Sequence, residues 1–284
     1  MRHTYECPLR WADMDLLGHI NNVAYVDYLQ EARIAMLAEV RKIVGSRPEE
    51  GVVVVRHELD FAAPLKYRKR PVLIDTWVSE VRAGSFTTAY EIYDETPEGR
   101  VVYLRAWSRL APMSLATGAP RRLGAEERDA LAAYVEPAEP RTALTAEGRS
   151  QHVYPVHVRW SDLDTYHHVN NVKFIEYFQE SRIAYTRSFH QEGDVFGAFV
   201  VARIDVDFLR PITYRAEPYE AHNWISKVGR TSAVFASEIR DGDAVLARSQ
   251  VVAVGFDPDT QRSAPLPPDH HGRLLEQLAL SGLG

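Results

Sequence analysis

Two short segments of this chain, "DMDLLGHINN" and "DLDTYHHVNN", place acids, a histidine and two asparagines at the same spacing. In each, an aspartate and a histidine stand four residues apart, as Asp15 with His19 and as Asp164 with His168. A carboxylate and an imidazole near a helix N-terminus can activate water or attack a carbonyl carbon. Backbone N–H groups of the helix can hold the oxyanion that develops. These residue types in this order are suited to hydrolysis of an acyl group.

A structural role competes with this chemistry. Aspartate and asparagine are favoured caps before a helix, and carboxylates there are stabilised by the helix dipole. We therefore expect Asp13 and Asp162 to cap a helix or to brace the loop, and Asn22 and Asn171 to cap the helices. Capping explains less well why the Asp15–His19 spacing recurs while the residues between them change. The residues alone favour catalysis only modestly over structure.

Both segments belong to a longer internal repeat. Residues 10–35 and 159–184 are identical at 14 of 26 ungapped positions, and "LDFAAPLKYRKRP" later matches "VDFLRPITYRAEP". A period this long is typical of a domain duplication. The Pro/Ala/Glu-rich stretch "EPAEPRTALTAEGRSQ" between the copies is typical of a linker, and "GAEERDALAAYV" just before it predicts a short helix. The predicted organisation is an N-terminal domain (1–114), a linker with a short helix (115–150), a C-terminal domain (151–267) and a helical tail (268–284).

Each copy has the pattern of five strands around one long helix. A short strand, Tyr5–Trp11 in the first copy and Val153–Trp160 in the second, leads into the acid loop. Four strand-like segments follow each helix, and the third and fourth are joined by turns, "DETPEG" and "RDGD". The predicted strands are 52–63, 71–83, 86–95 and 100–112 in the first copy, and 197–209, 218–229, 231–240 and 244–256 in the second. The predicted fold class is α+β, with a long central helix wrapped by a five-stranded, mostly antiparallel sheet. Apolar residues at three- and four-residue steps predict that the first helix is well buried; they are Val23, Val26, Leu29, Ile34 and Leu37.

Charge and composition restrict the partners. The net charge of −6 argues against a nucleic-acid binder, which usually carries a basic excess. No apolar run has the length of a membrane span or the form of a secretory leader, so we expect a cytoplasmic protein without membrane insertion. Cys7 is the single cysteine, so an intrachain disulfide is excluded and a small buried hydrophobe is expected.

The segments "DMDLLGHINNVAYVDYLQEAR" and "DLDTYHHVNNVKFIEYFQESR" resemble the signature loop and helix of hotdog-fold thioesterases. The resemblance is to the 4-hydroxybenzoyl-CoA thioesterase group and to acyl-ACP thioesterases, and it covers nearly all of both repeats. It implies that Asp15 and Asp164 are the catalytic carboxylates, as nucleophile or as base toward water, with His19 and His168 beside them. It also implies that the two domains pair as an intramolecular dimer, and such fused pairs could form a homodimer.

One departure bears on the substrate. Acyl-ACP thioesterases carry an asparagine two residues after the acid, where this chain has Leu17 and Tyr166. We therefore expect an acyl-CoA thioesterase that needs no cofactor or metal. An acyl-ACP thioesterase and a non-catalytic acyl-CoA binder remain the alternatives. His167, which stands where the first copy has Gly18, is interpreted as incidental.

An acyl-CoA substrate would require positive charge for its phosphates. The segment "LKYRKRP" supplies Lys66, Arg68, Lys69 and Arg70. The turns "RAGS" and "GRTS" resemble family segments near the pantetheine channel. The remaining substrate-binding candidates are Asn21, Asn22, Asn170, Asn171, Ser85, Arg230 and Ser232.

Other chemistries lack their motifs. The sequence has no G-x-S-x-G elbow of a serine hydrolase and no histidine pair of a zincin. It has no phosphate-binding loop or dinucleotide fingerprint, and it lacks the D-x-N-P-x-H loop of hotdog hydratases. Thioester hydrolysis is the function that the sequence favours.

Overall fold

The computed structural model describes residues 1–45, 49–138, 141–144, 147–189, 199–257, 260 and 262–283. The chain divides into two compact units, Met1–Thr142 and Ala143–Gly284. The division falls inside the segment 115–150 that the sequence predicts to be a linker. Each unit contains one long helix and an antiparallel sheet of at least five strands, which confirms the α+β prediction.

The sheet of the first unit is antiparallel throughout, in the order β1-β3-β4-β5-β2. Strand β1 pairs with β3 so that Cys7 lies opposite Val72, and the acid loop therefore starts near the Val72 end of β3. The strands are β1 (His3–Cys7), β2 (Glu50–Phe61), β3 (Val72–Arg82), β4 (Ser85–Thr96) and β5 (Gly99–Ser114).

Helix α1 (Asn22–Val44) is the central helix of this unit. Its N-cap is non-helical and its end is set by Gly45, whose φ of 80° favours glycine and whose N–H donates to the Arg41 carbonyl. Leu29 and Met36 are fully buried, whereas Ile34 is 55% exposed. The predicted burial is thus correct for Val26 and Leu29, correct in part for the half-buried Val23 and Leu37, and wrong for Ile34.

Residues after β5 form a second helix, α2 (Ala125–Ala132), at the position predicted for the short helix. Its Leu131 belongs to a buried apolar cluster with Met36 and Val40 of α1 and with Phe86 of β4. Helix α2 is therefore part of the core of the first unit, because it covers apolar side chains of α1 that would otherwise face water.

The second unit repeats this arrangement with the sheet order β6-β8-β9-β10-β7, and β11 is added to β10. Its helices are α3 (Asn171–Ser188) and α4 (Pro268–Leu280). Helix α4 is tied to α3 by a hydrogen bond from the Tyr185 hydroxyl to Gln277. The strands are β6 (His152–Val156), β7 (Phe199–Phe208), β8 (Tyr219–Val228), β9 (Ser232–Asp241), β10 (Ala244–Asp257) and β11 (Arg262–Ser263).

Cys7 is buried at the end of β1, as the sequence predicts, and this burial raises the pKa of its thiol to about 12. At pH 8 only about one thiol in 10⁴ is then a thiolate, the reactive form. We expect a thiol-directed reagent to modify Cys7 slowly in the folded protein and rapidly in urea. Since the raised pKa favours the neutral thiol in the folded state, the free energy of unfolding should also fall as the pH rises above about 9. Rapid modification of the folded chain at pH 8 would show that Cys7 is accessible.

Within the described residues, no helix has the length and apolar character required to cross a membrane.

Candidate active site

The acid loop of the first unit is a small hairpin. The N–H of Asn21 donates to the Asp13 carbonyl at 2.7 Å, and the N–H of Asp15 donates to the His19 carbonyl at 2.8 Å. Met14 and Ile20 form a β-bridge between these two bonds. The hairpin places Asp15 close to the first turn of α1, because Asn21 immediately precedes that helix.

The Asp15 carboxylate holds the tip of the hairpin. Its Oδ1 atom accepts hydrogen bonds from the N–H groups of Leu17 at 2.9 Å and His19 at 3.2 Å, in the manner of an Asx-turn. Its Oδ2 atom has no hydrogen-bond partner in the part of the chain that the structure describes. One oxygen of Asp15 therefore fixes the loop, and the other is left for a substrate or a water molecule.

This geometry gives the Asp15–His19 spacing a structural reason that the sequence did not reveal. The hydrogen bonds between these two residues run through the backbone of His19. The side chain of His19 is buried. The spacing is required to close the hairpin, so it is weaker evidence for an acid–imidazole pair than the sequence alone indicates.

Asp13 braces the hairpin, as predicted. Its Oδ2 atom accepts hydrogen bonds from the Tyr28 hydroxyl at 2.6 Å and from Arg10 at 2.8 Å. Arg10 also bonds Asp27 on α1 at 3.0 Å. Burial and the bond to Asp13 raise the pKa of Tyr28 well above its usual range, so the hydroxyl remains a donor. The loop is thereby fastened to α1 by side chains as well as by its backbone.

The second unit builds the same hairpin. Asp164 Oδ1 accepts from the N–H groups of Tyr166 at 2.8 Å and His168 at 3.3 Å, and the Asp164 N–H donates to the His168 carbonyl at 2.8 Å. Asp162 accepts the Tyr177 hydroxyl at 2.6 Å. Because the two loops share these bonds, differences at the intervening residues change the surface of the loop and leave its path unchanged.

His167 takes over the backbone role of Gly18, which corrects its interpretation as incidental. Gly18 has a φ of 73° and His167 a φ of 61°, the single positive value of a non-glycine residue in the described part of the chain. The left-handed region disfavours residues with a Cβ atom, although histidine enters it more often than most. Each N–H donates to the carbonyl of the preceding acid, Asp15 or Asp164.

Replacing Gly18 with alanine should lower the free energy of unfolding by about 1 kcal/mol, because alanine is strained at that φ. Gly272 is the matched control, since it lies inside α4 without a positive φ and an added Cβ would meet no atom within 4 Å. Gly272→Ala should stabilise the chain by about 0.5–1 kcal/mol. Urea unfolding measures both changes, and destabilisation by Gly272→Ala or tolerance of Gly18→Ala would contradict the assigned conformations.

The helix caps lie one residue earlier than predicted. Asn21 and Asn170 have extended φ and ψ angles, and their side chains accept from the N–H groups of Val23 and Val172. The prediction of Asn22 as a cap is therefore wrong, and the same holds for Asn171. The Nδ2 atom of Asn22 is buried without a hydrogen-bond partner among the described residues, which leaves a donor at the start of α1.

The basic segment of the first unit adjoins this loop. The N–H of Ile20 donates to the Leu65 carbonyl at 2.7 Å, directly before Lys66. Arg68 and Arg70 are both paired with Asp94. Lys66 and Lys69 are exposed, and their ammonium groups make no ion pair with any described residue. The two lysines are thus the members of the predicted cluster with uncompensated charge.

Ser85, Arg230 and Ser232 lie elsewhere in their units. Ser85 stands opposite Arg82, at the end of β3 that is far from the acid loop. Arg82 is ten residues from Val72, the residue of β3 near the loop, and each residue of a strand adds about 3.3 Å. Arg230 and Ser232 lie at the corresponding turn between β8 and β9. The structure therefore does not bring these residues to the acid loop of their own unit.

Two sets of residues beside the loops were missed from the sequence. Tyr28 and Tyr177 anchor the bracing aspartates, and their equal positions in "VDYLQ" and "IEYFQ" were the available signal. Trp11 and Trp160 were assigned to the ends of strands. Both tryptophans lie instead in short 3₁₀ helices, Trp11–Asp13 and Trp160–Asp162, and their side chains are exposed. No cluster of metal-ligating side chains occurs in the described ranges.

Three solved structures that superpose on most of this chain are described as thioesterases. An oleoyl thioesterase from Lactobacillus plantarum superposes with a TM-score of 0.72 at 15% identity, covering 90% of this chain and 97% of that one. The 12:0-ACP thioesterase from Umbellularia californica gives a TM-score of 0.69 at 15% identity, with coverage of 90% and 97%. An acyl-ACP thioesterase from Bacteroides thetaiotaomicron gives 0.67 at 15% identity, with coverage of 89% and 97%.

At this level of identity the likeness shows the fold, which is that of two hotdog domains in tandem, as predicted. A comparison with curated proteins finds no match. The thioesterase-like superfamily matches the sequence over residues 9–145 and 158–278, which includes both acid loops and both long helices. The chain belongs to the thioesterase-like superfamily and is a thioester hydrolase.

Proposed function

We propose that the protein hydrolyses acyl-CoA to a free acid and CoA, with a fatty acyl group as the expected substrate and with Asp15 and Asp164 as the reacting carboxylates. The observation that carries this proposal is the asymmetric use of each carboxylate. One oxygen is held by two backbone N–H groups, and the other has no hydrogen bond to any described residue. Such a group is fixed in position and still open to a reactant.

The open oxygen supports either of two routes. As a base it takes a proton from water, and the hydroxide formed adds to the thioester carbonyl; as a nucleophile it adds to that carbonyl itself and forms an anhydride that water cleaves. In both routes the C–S bond breaks and the thiolate of CoA leaves and is protonated. The two routes use the same residues.

The start of α1 offers donors for the oxyanion. The N–H of Val23 is occupied by the Asn21 side chain, and the N–H of Ala24 donates to the Asn21 carbonyl. With respect to the described residues, Asn22 therefore holds the donors of this turn that have no partner, namely its own N–H and its Nδ2 group. The helix dipole adds a favourable field for negative charge at this position.

The carrier is proposed to be CoA because of the charge beside the first loop. Lys66 and Lys69 follow the residue that bonds the loop, and no described carboxylate neutralises them. Phosphate groups of CoA would supply the missing counter-charge. An acyl-ACP substrate is the second candidate, since two of the similar solved structures are thioesterases acting on ACP-linked substrates.

The carrier can be tested with one acyl chain presented on CoA and on ACP. We expect kcat/KM to be at least about 10-fold higher for acyl-CoA, equivalent to about 1.4 kcal/mol of transition-state binding. Product acid should be measured in both reactions, so that thiol release by contaminants is excluded. A preference for acyl-ACP would show that ACP is the carrier and would leave the proposed thioester hydrolysis unchanged. Tight binding of acyl-CoA without turnover would indicate a binding protein.

A further inference from the structure

Each unit exposes a tryptophan directly before its acid loop. Trp11 is 71% exposed and Trp160 is 73% exposed. A single exposed apolar side chain is ordinary, but the same large aromatic residue at equivalent positions of two domains is a patterned feature. Tyr67 and Tyr214, on the connections after β2 and β7, are exposed as well. Each repeat thus exposes one tryptophan and one tyrosine at equivalent positions of the sequence.

In the second unit the pair is in contact. The ring centroids of Trp160 and Tyr214 lie 5.6 Å apart with an interplanar angle of 83°, an edge-to-face arrangement. The N–H of Val169 donates to the Ile212 carbonyl at 2.9 Å, which holds the tyrosine-bearing connection against the acid loop. Both rings therefore lie beside the acid loop, and Trp160 is 73% and Tyr214 52% exposed.

Uncompensated cations accompany the rings. In the second unit Arg159 precedes Trp160, Arg210 lies on the connection, and neither guanidinium makes an ion pair or hydrogen bond with a described residue. By contrast, the nearby Arg215 bonds Asp241 at 2.9 Å. In the first unit the cations without an ion pair are Lys66 and Lys69, which stand at other positions of the repeat, because Arg10, the equivalent of Arg159, is paired with Asp13 and Asp27. We call these two sets the aromatic–cationic rims: the first contains Trp11, Tyr67, Lys66 and Lys69, and the second Trp160, Tyr214, Arg159 and Arg210.

We infer that the aromatic–cationic rims bind the nucleotide end of the carrier, with a purine ring against the tryptophan and phosphates on the cations. This inference rests on the proposed acyl-CoA hydrolysis and adds the residues that select its carrier. Flat aromatic faces stack on bases, and arginine and lysine beside them pair with phosphate. The flexible pantetheine arm of CoA would connect the rim to the carboxylate.

Aromatic and basic side chains together also suit the headgroup region of a membrane. The position of the rims favours the nucleotide, because each tryptophan lies four residues before a candidate catalytic carboxylate. Each rim provides two aromatic rings and two cations, a combination that matches one phosphorylated nucleoside. A lipid surface would be contacted by a wider apolar area.

The test is binding of adenosine 3′,5′-bisphosphate to the full chain by calorimetry, a probe without a thioester. Trp160→Ala and Trp11→Ala should each weaken binding at their own rim by about 5–100-fold, the range for loss of one stacked base. Trp160→Phe should retain most of the affinity. The double variant Arg159→Gln, Arg210→Gln should make the affinity for the bisphosphate less dependent on salt concentration. Ile43→Ala, at an exposed site on α1, is the matched control and should bind as the wild type does.

Absence of bisphosphate binding to the wild type, or wild-type affinity in both tryptophan variants, would overturn the inference. Binding to anionic phospholipid vesicles without bisphosphate binding would assign the rims to a membrane instead. A parallel assay with an acyl-N-acetylcysteamine thioester, which has no nucleotide, separates the two proposals. If the wild type hydrolyses this thioester but does not bind the bisphosphate, the proposed hydrolysis is supported and the nucleotide-binding role of the rims is rejected. If it binds the bisphosphate but hydrolyses no thioester, the rims are supported and the proposed hydrolysis is rejected.

Discussion

Replacing Asp15 and Asp164 together by asparagine is expected to lower the rate of thiol release from an acyl-CoA by at least about 100-fold, the usual contribution of a positioned acid or base. Asparagine retains the Oδ1 acceptor that holds Leu17 and His19, so the hairpin should persist. It removes the negative charge that activates water or attacks the carbonyl. The variant therefore separates the chemical role of the carboxylate from its structural role.

The matched control is Asp129→Asn, the same exchange at an exposed position on α2. It should leave both activity and stability unchanged. The two single variants divide the activity between the units: loss with one alone assigns the chemistry to that unit, and two partial losses assign it to both. A double variant within twofold of the wild type would rule out these carboxylates as the reacting groups.

Removal of a buried side chain from α1 is expected to destabilise the protein strongly. Leu29→Ala is expected to lower the free energy of unfolding by about 2–5 kcal/mol, because the side chain is fully buried and its removal leaves a cavity. Ile34→Ala on the same helix is the matched control, and its 55% exposure predicts a cost below about 1 kcal/mol. Urea unfolding followed by circular dichroism measures both values. Equal costs would contradict the assignment of the buried face.

Much of the fold could be predicted because the repeat supplies the same pattern twice. The strands after each helix begin and end within a few residues of the predicted positions. The strands before the loops were predicted too long, since aromatic Trp11 and Trp160 have strand propensity although the chain turns there. The exposure of Ile34 depends on which elements pack around α1. The pattern of apolar residues in the helix does not show where those elements lie.

The site was predictable in its residues and less so in their roles. The paired phrases identified Asp15 and Asp164, but their spacing to His19 and His168 is set by backbone bonds within a hairpin. The cap moved from Asn22 to Asn21 because the capping side chain must accept from the N–H two residues on. Ion pairing also distinguishes Lys66 and Lys69 from Arg68 and Arg70, a distinction that depends on Asp94 of a different strand.

Acyl-CoA hydrolysis is tested most directly by measuring the CoA that the wild-type chain releases from acyl-CoAs of several chain lengths, with the free acid quantified in the same samples. We predict turnover of at least one of them, with one thiol and one acid formed for each thioester cleaved. A correctly folded protein that binds acyl-CoA but releases neither product would contradict the proposed hydrolysis.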